Sequence, residues 1–91
     1  MALSAVLHAL SDPVRLALVR TLGSSTEQSC GILGVSIPKS TLSHHLKVLR
    51  EAGVTRTRIE GTQRYVSLLR DDLDARFPGL LESVLDASGP L

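Results

Sequence analysis

At Gly53 the apolar periodicity of this chain changes, and that change restricts the fold more than any other feature. Before it, Leu42, Leu46 and Leu49 recur at i, i+4 and i+7, the buried stripe of a helix that Pro38 opens and Gly53 stops. Ser36 is the residue expected to cap that helix. After it, Val54 to Ile59 and Gln63 to Leu69 are rich in Thr, Arg and β-branched residues, the composition of strands. Glu60-Gly61-Thr62 between them carries the glycine of a tight hairpin. A helix over 38–52 therefore leads directly into a hairpin over 54–69.

Helical signals dominate the rest. Leu3, Val6, Leu7 and Leu10 form a stripe at i, i+3, i+4 and i+7. Ser11-Asp12-Pro13 stops that helix and starts another, because Asp or Ser caps exposed N–H groups and Pro costs no bond at a first position. The second helix is expected over Pro13 to Leu22, with Val14, Ala17, Leu18 and Thr21 on one face and Gly23 as its stop. Ser24 to Ile37 is broken by glycines and admits at most one short helix, near Gln28 to Gly34. Asp71-Asp72 supplies cap chemistry for a turn reaching Arg76. Pro78 breaks that turn and opens a last helix to Asp86, made amphipathic by Leu80, Leu81, Val84 and Leu85.

The predicted order α-α-(α)-α-β-β-α is that of a winged helix-turn-helix: a single domain over 1–91, mainly α with a β-hairpin wing (α+β). In that arrangement the helix over 38–52 enters the DNA major groove with its N-terminal end against base edges. Lys39, Ser40, Thr41, Ser43, His44 and Lys47 lie off the leucine stripe and offer suitable donors and acceptors. Ser40 taken alone reads rather as a self-capping helix start; six such residues followed by a basic hairpin point to DNA. The wing carries Arg56, Arg58 and Arg64 around a tip at Glu60-Gly61-Thr62-Gln63, with Arg56 and Arg58 in the same strand parity. Charge on such a hairpin also guards an open edge, and the two roles are compatible.

Charge is divided accordingly. Residues 39–64 hold six Lys and Arg against Glu51 and Glu60, a net +4, while the remainder holds four Arg against seven acids, a net −3.

The same residues resemble a known family. Asp12-Pro13-Val14-Arg15-Leu16, the run Ser40-Thr41-Leu42-Ser43-His44-His45-Leu46-Lys47-Val48-Leu49-Arg50-Glu51-Ala52-Gly53-Val54, and Glu60-Gly61 are similar to the ArsR/SmtB winged-helix repressors of bacteria. The likeness spans about residues 8 to 70. It implies a homodimer built from the first and last helices, here 1–10 and 78–87, that reads a palindromic operator and blocks transcription. It also implies that His45 faces the helix-turn-helix scaffold and His44 the DNA. Leu3, Val6, Leu7, Leu10, Leu80, Leu81, Val84 and Leu85 are the matching interface candidates, with ordinary core packing as their other reading.

Size favours the dimer. A chain of 91 residues buries only about two-thirds of its surface and usually needs a staple. One cysteine, Cys30, excludes a disulfide within the chain and the usual zinc frameworks.

The chain departs from its relatives in sensing. The Cys-x-Cys pair, the paired N-terminal cysteines and the Asp/His pairs on the last helix that serve metal sensing in many of them are absent, and the segment before Pro38 is unusually short and rich in Gly. Cys30 is left as a buried thiol, a redox or metal sensor, or an incidental exposed group. His8, beside the first stripe, is read as a surface residue, and adjacent His44 and His45 point too far apart to share a ligand site. No metal, cofactor or effector is assigned.

Other classes fare worse. Two aromatics, Tyr65 and Phe77, cannot build a stacking platform for RNA or single strands. No uncharged run approaches the roughly 20 residues of a membrane span, and Met1 to Leu10 lacks the basic start of a signal peptide, so a cytoplasmic protein without membrane partners is expected. No catalytic constellation is recognisable, so an enzyme is not expected. The alternative to a self-sufficient repressor is a winged-helix interaction module whose partner subunit supplies effector sensing.

Overall fold

The Asp12-Pro13 corner folds as its residue types dictate. Asp12 Oδ1 accepts from the backbone N–H groups of Val14, at 2.8 Å, and Arg15, at 3.2 Å, which caps helix α2 (Pro13–Gly23) at its start. These bonds to the carboxylate hold Asp12 below the ordinary carboxyl range. Helix α1 (Leu3–Ala9) precedes the corner. The computed structural model describes residues 1–24, 27–29, 33 and 36–87. After α2 come strand β1 (Gln28–Ser29), helix α3 (Lys39–Glu51), strands β2 (Thr55–Glu60) and β3 (Gln63–Leu68), and helices α4 (Arg70–Arg76) and α5 (Leu80–Ala87).

The change of period at Gly53 is made by backbone chemistry. Gly53 N–H donates to Arg50 O and Val54 N–H to Leu49 O, each at 3.0 Å, which closes α3 in a Schellman motif. Gly53 has φ +85°, a conformation that glycine adopts without a Cβ penalty. At the wing tip Glu60 pairs with Gln63, leaving a two-residue loop. Gly61 has φ +61° and Thr62 has a negative φ, the arrangement of a type II′ hairpin turn.

Several expectations are corrected. Gln28 and Ser29 are a strand rather than the start of a short helix, and they add an edge to the hairpin through Gln28↔Val66 and Ser29↔Tyr65. The sheet runs β1-β3-β2, all antiparallel. A two-residue strand carries no periodicity, so only its partner reveals it. Leu33 is helical and buried; Cys30 and the rest of the expected short helix lie outside the described residues. Ser36 does not cap α3, whose N-cap is Pro38 with no side-chain bond. Asp71 and Asp72 sit inside the first turn of α4, after an uncapped Leu69, where their charge complements the helix dipole. Helix α5 begins two residues past Pro78. On α2 the buried residues are Arg15, Leu18, Val19 and Leu22, whereas Ala17 and Thr21 are exposed. The helix is rotated toward its Leu/Val row because that row buries more apolar area.

The terminal stripes divide in the same way. Val6 and Leu10 lie in the core with Ala9, while Leu3 and Leu7, the neighbouring i,i+4 row, are each 47% exposed. Leu81 is a core residue, and Leu80, Val84 and Leu85 are half-buried against that core. Leu85 approaches α2 at Gly23, where any Cβ would stand 3.2 Å from its methyl groups, and Arg70 Nη2 donates to Gly23 O at 3.0 Å. Of the eight interface candidates, Val6, Leu10 and Leu81 are therefore committed inside the protomer.

Among the described residues three polar side chains lie in the core, Arg15, His45 and Thr55. Arg15 donates from Nε to Ala9 O at 2.6 Å, from Nη2 to His8 O at 3.3 Å, and from Nη1 to His45 Nδ1 at 3.2 Å. A guanidinium only donates, so Nδ1 is the acceptor and the neutral ring carries its proton on Nε2. Among the described residues the Thr55 hydroxyl is buried without a hydrogen-bond partner. Thr55→Val removes an orphaned polar group at nearly constant shape, so stability measured by urea unfolding should be unchanged or higher by about 1 kcal/mol. A loss of that size would mean the hydroxyl is satisfied in solution.

Candidate nucleic-acid interface

Helix α3 turns its leucines inward with His45, and exposes Lys39, Ser40, Thr41, Ser43, His44 and Lys47. At about 100° per residue these six do not form one row. Lys39, Ser43 and Lys47 follow each other at i, i+4 and i+8 along the edge next to the wing. Ser40 and His44 lie on the next row round, and Thr41 further still.

The wing row completes a cleft of about 540 Å³. Its helical wall is Lys39, Ser43, Lys47 and Arg50 over the Leu42 and Leu46 side chains, and its sheet wall is Thr57, Thr62, Gln63 and Arg64. Four cations converge there. A carboxylate approaches one of them: Glu51 lies 3.9 Å from Lys47, with both side chains largely in solvent, and such a pair holds weakly. Arg50, Thr57 and Thr62 were not anticipated. Arg50 continues the Lys39-Ser43-Lys47 spacing by three residues, so helical periodicity was the signal that could have found it.

The three wing arginines do not form one surface. Register pairs Ile59 with Arg64 and Arg58 with Tyr65, so strand alternation sends Arg64 toward α3 and sends Arg56 and Arg58 to the other face. The shared parity of Arg56 and Arg58 holds, and it carries both away from the cleft. Arg58 grips Glu27 with Nε, 3.1 Å from Oε2, and Nη2, 2.9 Å from Oε1. Its Nη1 donates to Glu60, and its guanidinium lies 4.6 Å from the centre of the Tyr65 ring. The hydrogen bonds from Arg58 hold the Glu27 carboxyl below its ordinary range; those to Glu27 and then Glu60 hold Arg58 above its own. Nothing in the spacing of residues 27 and 58 announces that pairing.

Burial separates the adjacent histidines, with His45 in the scaffold against Arg15 and His44 exposed. His8 is exposed. Among the described residues no group of three His, Cys, Asp or Glu is placed to hold a metal ion, and no helix is long and apolar enough to cross a membrane.

Known proteins resemble this chain in sequence and architecture. A family model described as a helix-turn-helix domain matches residues 10–58. YceK of Bacillus subtilis, an uncharacterized HTH-type transcriptional regulator, is 48% identical over 82 residues, which are 87% of this chain and 82% of that protein. Among solved structures, the transcriptional repressor BigR of Xylella fastidiosa superposes with a TM-score of 0.74 at 34% identity, over 97% of this chain and 87% of that one. The homodimeric winged helix-turn-helix domain of Mb0332 from Mycobacterium bovis, a possible ArsR-family regulator, gives a TM-score of 0.74 at 27% identity over 91% and 77% of the two chains.

Proposed function

The chain belongs to the ArsR-type winged helix-turn-helix transcriptional regulators, and from that premise we propose that it acts as a dimeric repressor on a palindromic operator. The observation that carries the reading is the cationic cleft between α3 and the wing. Ser40, Thr41, Ser43 and His44, on the exposed N-terminal half of α3, take the base edges of the major groove. Lys39, Lys47, Arg50, Gln63 and Arg64 hold the sugar-phosphate strand that runs between helix and wing. Arg56 and Arg58, on the far side of the hairpin, are left outside this surface.

The repressor role draws support from BigR and the dimer from Mb0332, together with the apolar row that the protomer leaves uncovered. Leu3 and Leu7 are the centre of the proposed contact, and Leu80, Val84 and Leu85 its other half. A two-fold dimer presents two α3 helices to half-sites about one turn of DNA apart, which accounts for a palindrome. Selection of duplexes from a random pool tests the whole reading. It should return an inverted repeat bound with strong salt dependence. Recovery of no sequence, or binding only with a co-purifying partner subunit, would defeat it.

Leu7→Glu is expected to leave the fold intact, since the side chain is half in solvent, and to shift the dimer to monomer in sedimentation velocity. Operator affinity should fall with it because the half-sites are no longer linked. A Leu7→Glu protein that sediments like wild type would remove α1 from the interface.

A further inference from the structure

Arg58 stands at one edge of the three-stranded sheet and its main partner at the other. The strand order is β1-β3-β2, with Arg58 on β2, Tyr65 on the central β3 and Glu27 at the residue before β1. The guanidinium therefore crosses the whole outer face, over the Tyr65 ring, to fork onto Glu27, and its remaining nitrogen reaches Glu60 beside the turn.

From this geometry we infer that Arg58 is a positioning residue for DNA binding, a strap that sets the tilt of the wing and makes no phosphate contact of its own. The inference rests on the DNA-binding reading above and assigns Arg58 a part in it that its charge alone would not suggest. Three observations support it. The donors that would fork onto a phosphate are already forked onto a carboxylate. Arg56 and Arg58 on that face are balanced by Glu27 and Glu60, so it offers phosphate no net attraction, whereas the α3 face carries the converging cations. The backbone tie of the far edge is short: β1 contributes two residues, Gln28 and Ser29, and an isolated hairpin is marginal without a third strand. Because Arg64 projects from the opposite face beside Tyr65, the tilt that the strap sets is the tilt that aims Arg64 into the cleft.

The test compares Arg58→Met, Arg58→Lys, Glu27→Gln, the Arg58→Met/Glu27→Gln double variant and Arg64→Ala on a mixed-sequence DNA duplex across a salt series. Arg64→Ala should flatten the slope of log affinity against log salt by about 0.9, as a lost phosphate contact does. Arg58→Met should weaken binding on the order of tenfold with the wild-type slope, and the double variant should be no worse than either single one. Arg58→Lys keeps the charge without the fork and should not rescue binding.

A slope flattened in Arg58→Met as in Arg64→Ala, affinity retained by Arg58→Lys, or tighter binding by Glu27→Gln through a freed arginine would each overturn the inference. Hydrogen exchange on the DNA-free protein separates this from the parent reading. Arg58→Met should speed exchange at Gln28, Ser29, Tyr65 and Val66. Unchanged exchange there overturns the strap even if DNA binds. A wild-type protein without salt-dependent binding overturns the DNA reading, while exchange still decides the strap.

Discussion

Replacing Lys39, Lys47, Arg50 and Arg64 together by alanine is expected to reduce the salt slope of DNA binding by about 3 to 4 units. Affinity at moderate salt should fall on the order of a thousandfold. Each of these cations lines the cleft between α3 and the wing and is exposed, so its removal costs little packing. A phosphate strand lying there displaces condensed counterions, and the slope counts them. Arg50 makes the test specific to the tertiary arrangement, because it belongs to the set by its place in the cleft. Fluorescence anisotropy with a labelled duplex, read at several salt concentrations, measures both quantities. A slope within about half a unit of wild type would show that the strand runs elsewhere.

Arg15→Met should lower the free energy of unfolding by about 3 kcal/mol, a large share of the 5–15 kcal/mol typical of a domain. Arg15 is 7% exposed, and its donors serve the carbonyls of His8 and Ala9 at the end of α1 and the Nδ1 of His45 on α3. His8 O keeps bonds from the Ser11 N–H and hydroxyl, whereas Ala9 O and His45 Nδ1 lose the donor that Arg15 supplies, and a buried acceptor left unpaired costs about 1–3 kcal/mol. Methionine fills the space and donates nothing. Arg15→Lys should not restore stability, since a single ammonium cannot reach three acceptors in the directions of a planar fork. Urea midpoints at constant m-value measure the loss. A change below about 0.5 kcal/mol would mean that water reaches those carbonyls.

Arg15 also shows where sequence reading stops. Its place after Asp12-Pro13 marks it as part of a family motif, yet its partners come from two other helices, α1 and α3, and no local rule names them. Asp12 is the opposite case. A capping carboxylate three residues before the N–H it accepts is a matter of adjacent chain, and it was legible as such. The α1 stripe falls between the two. Its helical period was plain, but which of its two rows faces inward depended on what α3 presents to it, and the answer sent Val6 and Leu10 into the core and left Leu3 and Leu7 outside.

By itself, then, the order of residues determined the principal helices, the change of period at Gly53, the tight hairpin of the wing and the family. Those properties depend on backbone conformation and on neighbours within a turn or two of chain, where geometry allows few alternatives. Tertiary structure decided which faces are buried, that Gln28 and Ser29 form a strand, and that Arg58 turns away from Arg64 to Glu27, 31 residues off in sequence. Those pairings are settled when the elements dock. Charge and hydrogen-bonding partners are chosen by distance in space, and a basic residue reads the same in the chain whether it ends against a phosphate or a carboxylate.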